Sequence, residues 1–148
     1  MKKTVTWIVV ADHQQARAYA HDGPGRGIRA ADGFVFDTHL DRSHDIMTDR
    51  PGRKPGTGGS QRSVGARSDP HREAGRQFMQ NVANAIADAS HAKAFSRLIV
   101  VAPPRALGEL RTALPDNVRA QVIAEINEDL TKASQADLAD RLGDVLAV

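Results

Sequence analysis

Arg53, Lys54, Arg62 and Arg67 surround the sequence Gly58-Gly59-Ser60-Gln61 in a stretch with almost nothing to bury. The stretch, Arg50 to Arg76, holds seven arginines and lysines, six glycines and three prolines, and Val64 is its one large aliphatic residue. Against Asp69 and Glu73 its charge is +5; the whole chain carries +2, and subtracting one from the other leaves −3 on everything else. Guanidinium and ammonium groups on a glycine-rich backbone suit contact with an anion: they donate charge-assisted hydrogen bonds to phosphate or carboxylate, and glycine lets the backbone come close. Arg72, just beyond the glycines, belongs to the same set. Competing with anion contact is a solvated loop whose arginines serve solubility.

Other chemistries are poorly supplied. A phosphate-binding G-x-x-x-x-G-K-[ST] loop is excluded, because Gly59 is followed by Ser60-Gln61 with no lysine. His39, Asp41, His44, Asp45 and Asp49 could ligate a metal such as zinc, but an H-x4-H pair at the edge of a strand reads more simply as a polar loop edge, so neither a metal nor a cofactor is expected. A metal-dependent nuclease needs several carboxylates converging on metal ions, for which Asp12 and Asp37 are the only attractive candidates. Asp12-His13 with a serine invites a hydrolase triad, yet no G-x-S-x-G elbow is present, and His13 reads as a turn residue. Arg105 and Arg111 flank Leu-Gly-Glu-Leu after an apolar run; at the carboxyl end of a strand they could hold a ligand, or else form a helix start and a surface salt bridge.

These residues need elements to position them. Thr4 to Val10 is β-branched and nearly continuously apolar, as a strand buried on both faces is. Ala16–Ala20 alternates and predicts a second strand, antiparallel to the first. After a glycine-rich turn, Ile28 to Leu40 predicts a third, with Phe34, Phe36 and Thr38 on one face. The basic loop, at about 42–68, follows. A helix capped by Ser68 or Asp69, with Pro70 in its first turn, is predicted to run to about Ala94, with Phe78, Val82, Ile86 and Ala89 as its apolar stripe. Arg97–Ala102 predicts a buried strand stopped by Pro103-Pro104, and Leu107–Leu114 a short helix. In Val118–Ile126 the latter half could be a strand, with helix competing. Ser134 and Asp137 fit a capping box opening a last helix with Leu138, Leu142 and Val145 as its stripe. The order β-β-β-α-β-α-β-α predicts an α/β domain, a mixed sheet with flanking helices, spanning residues 1–148 as one unit.

At 148 residues and 41% hydrophobic residues the chain can build a real core, poor in aromatics at 4%. It has no cysteine, which excludes disulfides and a thiol nucleophile. Thr4–Ala11 is too short for a signal-peptide core and lacks a cleavage site, and no segment approaches the ~20 apolar residues of a membrane span, so a cytoplasmic protein without membrane insertion is expected.

VVADHQQARAYA, a basic glycine-rich loop and a helix, then LIVVAPPRALGELRTAL and EINEDLTKAS, together resemble the bacterial host attachment protein family, also called proteins required for attachment to host cells. The resemblance covers nearly the whole chain, and Val100–Arg111 is its most specific piece. That family in turn looks like a relative of the middle domain of archaeal and eukaryotic peptide-release factors, which implies an RNase-H-like fold. It also implies a Gly-Gly-Gln loop between the meander and the long helix, where this chain has Gly58-Gly59-Ser60-Gln61. Carried over, Gly58, Gly59 and Gln61 would form a catalytic tip for peptidyl-tRNA ester hydrolysis, the glutamine N–H stabilising charge on the ester. Arg53, Lys54, Arg62, Arg67 and Arg72 would contact rRNA or tRNA phosphates. Ser60 splits the motif and displaces Gln61 by up to about 3.5 Å, which favours a non-catalytic or weakly catalytic ribosome- or RNA-associated protein over an esterase. A protein-interaction factor that affects attachment indirectly is the alternative from another class.

Overall fold

The computed structural model describes residues 4–38 and 70–146. The expectations for Gly58, Gly59, Gln61, Arg53, Lys54, Arg62 and Arg67, for the His39–Asp49 cluster and for the Ser68 or Asp69 cap lie outside these residues.

Five strands form one sheet: β1 (Thr6–Ala11), β2 (Gln15–His21), β3 (Arg29–Asp37), β4 (Arg97–Val101) and β5 (Val122–Ile126), in the order β3-β2-β1-β4-β5. β1 pairs antiparallel with β2, and β2 with β3; β1 and β4, and β4 and β5, run parallel. The helices are α1 (Pro70–His91), α2 (Pro104–Ala113), α3 (Asp116–Arg119) and α4 (Gln135–Leu142). The predicted mixed α/β sheet is therefore present, with a single-turn helix, α3, added before β5.

The continuous apolar run of β1 follows from cover on both faces. Trp7, Val9 and Ala11 join Leu98 and Val100 of β4 in a core with α1 and α2. Ile8 and Val10 join Ile99 and Val101 under Leu138, Leu142 and Leu146 at the carboxyl end of the chain. The result is three layers, with a helix pair on one side and α4 on the other. On the α1 side, β2 presents only Ala16, Ala18 and Ala20. The space is filled by rings: Trp7 meets Phe34 edge-on at 5.6 Å, Phe34 meets Phe36 at 5.0 Å, and Phe36 meets Phe78 of α1 at 6.5 Å.

Several boundaries differ from expectation for local reasons. β1 begins at Thr6 instead of Thr4, and β3 (Arg29–Asp37) begins at Arg29 instead of Ile28, while the expected end at Leu40 lies outside the described residues. The β2–β3 register shifts between Arg17 and Tyr19, and Gly33 on the facing strand sits at φ 84°, a left-handed conformation that glycine takes without penalty. α1 stops at His91 instead of Ala94, because Lys93 at φ 64° reverses the chain and Ala94 N–H bonds back to Ala89 O. α2 starts at Pro104 instead of Leu107: Pro103 is extended and Pro104 occupies the first turn, where its missing N–H has no intrahelical role. In 118–126 both expectations hold in part, since α3 reaches Arg119 and the strand begins at Val122. Ser134 does cap α4, its Oγ accepting from Asp137 N–H at 3.0 Å. The stripe then continues at Leu146, four residues past Leu142, while Val145 is 40% exposed. Among the described residues no helix is long and apolar enough to cross a membrane.

Candidate functional site

Parallel pairing brings the carboxyl ends of β1 and β4 side by side, with Val10 opposite Val101. The chain leaves β1 through a tight turn and leaves β4 through Pro103 into α2. α1 lies on the same face, and its early turns reach this end, where Gly75 lies against His13. A pocket of about 290 Å³ opens here, lined by His13 and Gln14 of the turn, Thr38 just after β3, His71, Arg72 and Gly75 of α1, and Arg105 of α2. Ligands of open α/β sheets favour this position.

Asp12 builds the turn. Its Oδ1 accepts from the N–H groups of Gln14 and Gln15 at 2.7 and 2.9 Å, and its Oδ2 accepts from Thr131 Oγ1 at 3.2 Å. Thr131 Oγ1 also lies 2.7 Å from Asp129 Oδ1, and its carbonyl accepts from Arg17. Asp12 thus holds the loop before α4 against the end of β1. Among the described residues no group of three or more metal-ligating side chains is assembled.

His13 is fixed from two sides. Its Nε2 lies 2.6 Å from Glu109 Oε1, across 96 residues of sequence. The other constraint is Gly75: a Cβ built there would come within 2.8 Å of His13 Cδ2 and 3.3 Å of its Cβ. A glycine inside a 22-residue helix, where it costs roughly 1 kcal/mol against alanine, is explained by this close approach. The pair with Glu109 leaves Nδ1 as the ring's remaining polar atom.

The side chains lining the pocket include cations and no carboxylate; Glu73, in the same first turn of α1, is paired with Arg76. His71 and Arg72 stand in the first turn of α1, and Arg105 stands in the first turn of α2, which has no acidic residue there. Helix amino ends carry partial positive charge and favour anions over cations. None of the ion pairs among the described residues uses Arg72 or Arg105. An anion in the pocket would offset both the guanidinium charges and the helix ends.

Arg111 does not share this site. Six residues along a helix turn the side chain by about 240°, so Arg111 faces β5 while Arg105 faces His13. Arg111 holds Glu125 through two hydrogen bonds of 2.6 and 3.1 Å. The guanidinium pulls the Glu125 carboxyl below its ordinary 4.5, chiefly through hydrogen bonding, which outweighs the opposing effect of burial, with charge attraction adding a smaller pull; Arg111 is raised in turn. A depressed carboxylate contributes stability above its unfolded pKa, and that contribution fades as pH falls through the folded value. Arg111→Gln should therefore move Glu125 back toward 4.5 in an NMR pH titration and remove part of the stability loss below that pH, with little effect at neutral pH because the pair is exposed.

Of the residues singled out in the sequence, Arg72 and Arg105 come together at the pocket, Asp12 sits beneath it in the turn, and Arg111 lies apart. Glu109 and Gly75 were not singled out. Glu109 stands four residues after Arg105, on the same side of α2, but nothing in the sequence links it to a histidine 96 residues earlier.

The family described as "Protein required for attachment to host cells" matches residues 7–142. No curated protein matches the chain. Among solved structures, an archaeal translation termination factor is similar with a TM-score of 0.42 and 10% identity over 95% of this chain. A second, described as an archaeal protein, has a TM-score of 0.43 and 11% identity over 95% of this chain. The chain spans only 38% and 37% of those two proteins.

Proposed function

Because this chain belongs to the family of proteins required for attachment to host cells, we propose that it serves that role indirectly, as a cytoplasmic RNA- or ribosome-associated protein that binds through its basic segment. The observation that carries this is the concentration of charge: +5 between Arg50 and Arg76 in a chain that is −3 elsewhere. The carboxyl part of that segment opens α1, where Arg72 lines a pocket with Arg105 and His13 and Arg76 lines the adjoining groove with Arg105. Arg53, Lys54, Arg62 and Arg67 would contact phosphates, Arg72 would continue the track onto α1, and Gly58 and Gly59 would let the backbone approach the RNA. Gln61, one residue beyond its place in a Gly-Gly-Gln tip, would serve binding instead of ester hydrolysis.

Ribosome co-sedimentation and RNA retention at graded salt test this. Binding should weaken steeply as salt rises. The Arg53→Ala, Lys54→Ala, Arg62→Ala, Arg67→Ala chain should bind less tightly, and its log K against log salt slope should be shallower by about 3, four contacts at ~0.7 each for single strands. Unchanged binding in that variant would overturn the proposal.

A protein-interaction role has one observation in its favour. β5 is a sheet edge, Ile123 on it is 44% exposed, and a groove of about 440 Å³ runs beside it between Leu107, Leu114 and Val122. A partner recovered after nuclease treatment, and lost on Ile123→Lys, would favour that role.

A further inference from the structure

Resting on the RNA-binding proposal, we infer that the pocket between His13, Arg72 and Arg105 is a subsite for a phosphomonoester dianion, the phosphorylated end of an RNA strand or a free mononucleotide. Three independent segments supply its donors: the β1–β2 turn, α1 and α2. The glycine-rich segment needs none of them to contact RNA, so the subsite adds a distinct recognition to that track.

Size and charge define the ligand class. At about 290 Å³ the space lies at the small end of ligand pockets and takes one group instead of a strand passing through. A phosphomonoester carries roughly −1.5 to −2 at neutral pH, which two guanidiniums match. A backbone diester carries a single charge and would leave one arginine uncompensated. Arg72 and Arg105 are exposed and used by no ion pair among the described residues, so binding breaks no existing pair at these two side chains. Arginine's planar fork suits phosphate oxygens bidentately. Glu109, the nearby carboxylate, is engaged by His13 Nε2, which limits its repulsion of an anion and orients the imidazole, with Nδ1 as its remaining polar atom.

The experiment is a binding titration of the full chain with four probes: inorganic phosphate, a nucleoside 5′-monophosphate, and one short RNA carrying either a terminal phosphate or hydroxyl ends. The phosphorylated RNA should bind about tenfold or more tightly than the hydroxyl form, as loss of a charge-assisted contact predicts. Arg72→Ala and Arg105→Ala should each erase that difference while leaving hydroxyl-ended RNA bound. Arg141→Ala, on the opposite face, should preserve it. In the chain lacking the four basic side chains at 53, 54, 62 and 67, both RNAs should weaken together and the ratio should survive. Binding of the nucleotide and phosphate with no binding of either RNA would identify a free mononucleotide as the ligand and overturn the RNA proposal alone. Equal binding of the two RNAs, with no phosphate or nucleotide binding, would overturn the subsite and leave the RNA proposal standing.

Discussion

Gly75→Ala should destabilise the protein and disable the pocket, even though alanine is the better helix former. Alanine at an unobstructed helix site stabilises by roughly 1 kcal/mol over glycine. Here the new methyl would fall 2.8 Å from His13 Cδ2, with the ring root and Cβ close behind, so rotation of the ring alone does not clear it. The β1–β2 turn has to move, and overpacking of this kind costs about 1–3 kcal/mol. The 2.6 Å contact with Glu109 would be lost with it. A net loss of stability in chemical denaturation is expected, together with at least tenfold weaker phosphate-end binding. The decisive comparison is Gly75→Ala in a His13→Ala background: with the ring gone the change should become neutral or stabilising. Equal cost in both backgrounds would mean that His13 is not what requires a glycine there.

Leu142→Ala should lower stability by about 2–5 kcal/mol. Leu142 is fully buried with Leu138 against Ile8, Val10, Ile99 and Val101. α4 has eight residues, too few to persist alone in water, so its helicity depends on this docking. Loss of the contact should release α4 and expose one whole face of β1 and β4, which amide hydrogen exchange would register as faster exchange in those strands. Val145→Ala, three residues on and 40% exposed, should stay within about 0.5 kcal/mol. A large effect at Val145 and a small one at Leu142 would reverse the assignment of the apolar stripe.

The layering of the fold was legible in the sequence because it is written locally. Two-sided burial of β1 and β4 appears as unbroken apolar runs, and Ser134 with Asp137 marks the start of α4. Boundaries were less legible where a single residue decides them: Lys93 in a left-handed conformation ends α1, and Pro104, three residues past the end of β4, opens α2. Of the pocket, the basic residues could be named but not assembled. Arg105 and Arg111 look like a pair in sequence, and only helical phase separates them. The His13–Glu109 contact spans 96 residues and leaves no periodic trace. Gly75 did leave one, a glycine inside a strongly amphipathic helix, and a search for such misfits would have found it.

The pairing of β1 with β4 has a kinetic consequence. Thr6 stands opposite Arg97, so the central parallel pair closes a span of 91 residues containing β2, β3, the whole basic segment and α1. Non-local pairing of this kind slows folding, because closure entropy is lost before the contacts form. That entropy grows only with the logarithm of length: shortening the span by twenty residues would change it by about 0.2 kcal/mol. The connection between Asp37 and Pro70 can therefore vary in length and composition with little effect on the equilibrium stability of the sheet, and selection on whatever it binds can act there almost independently of selection on the fold.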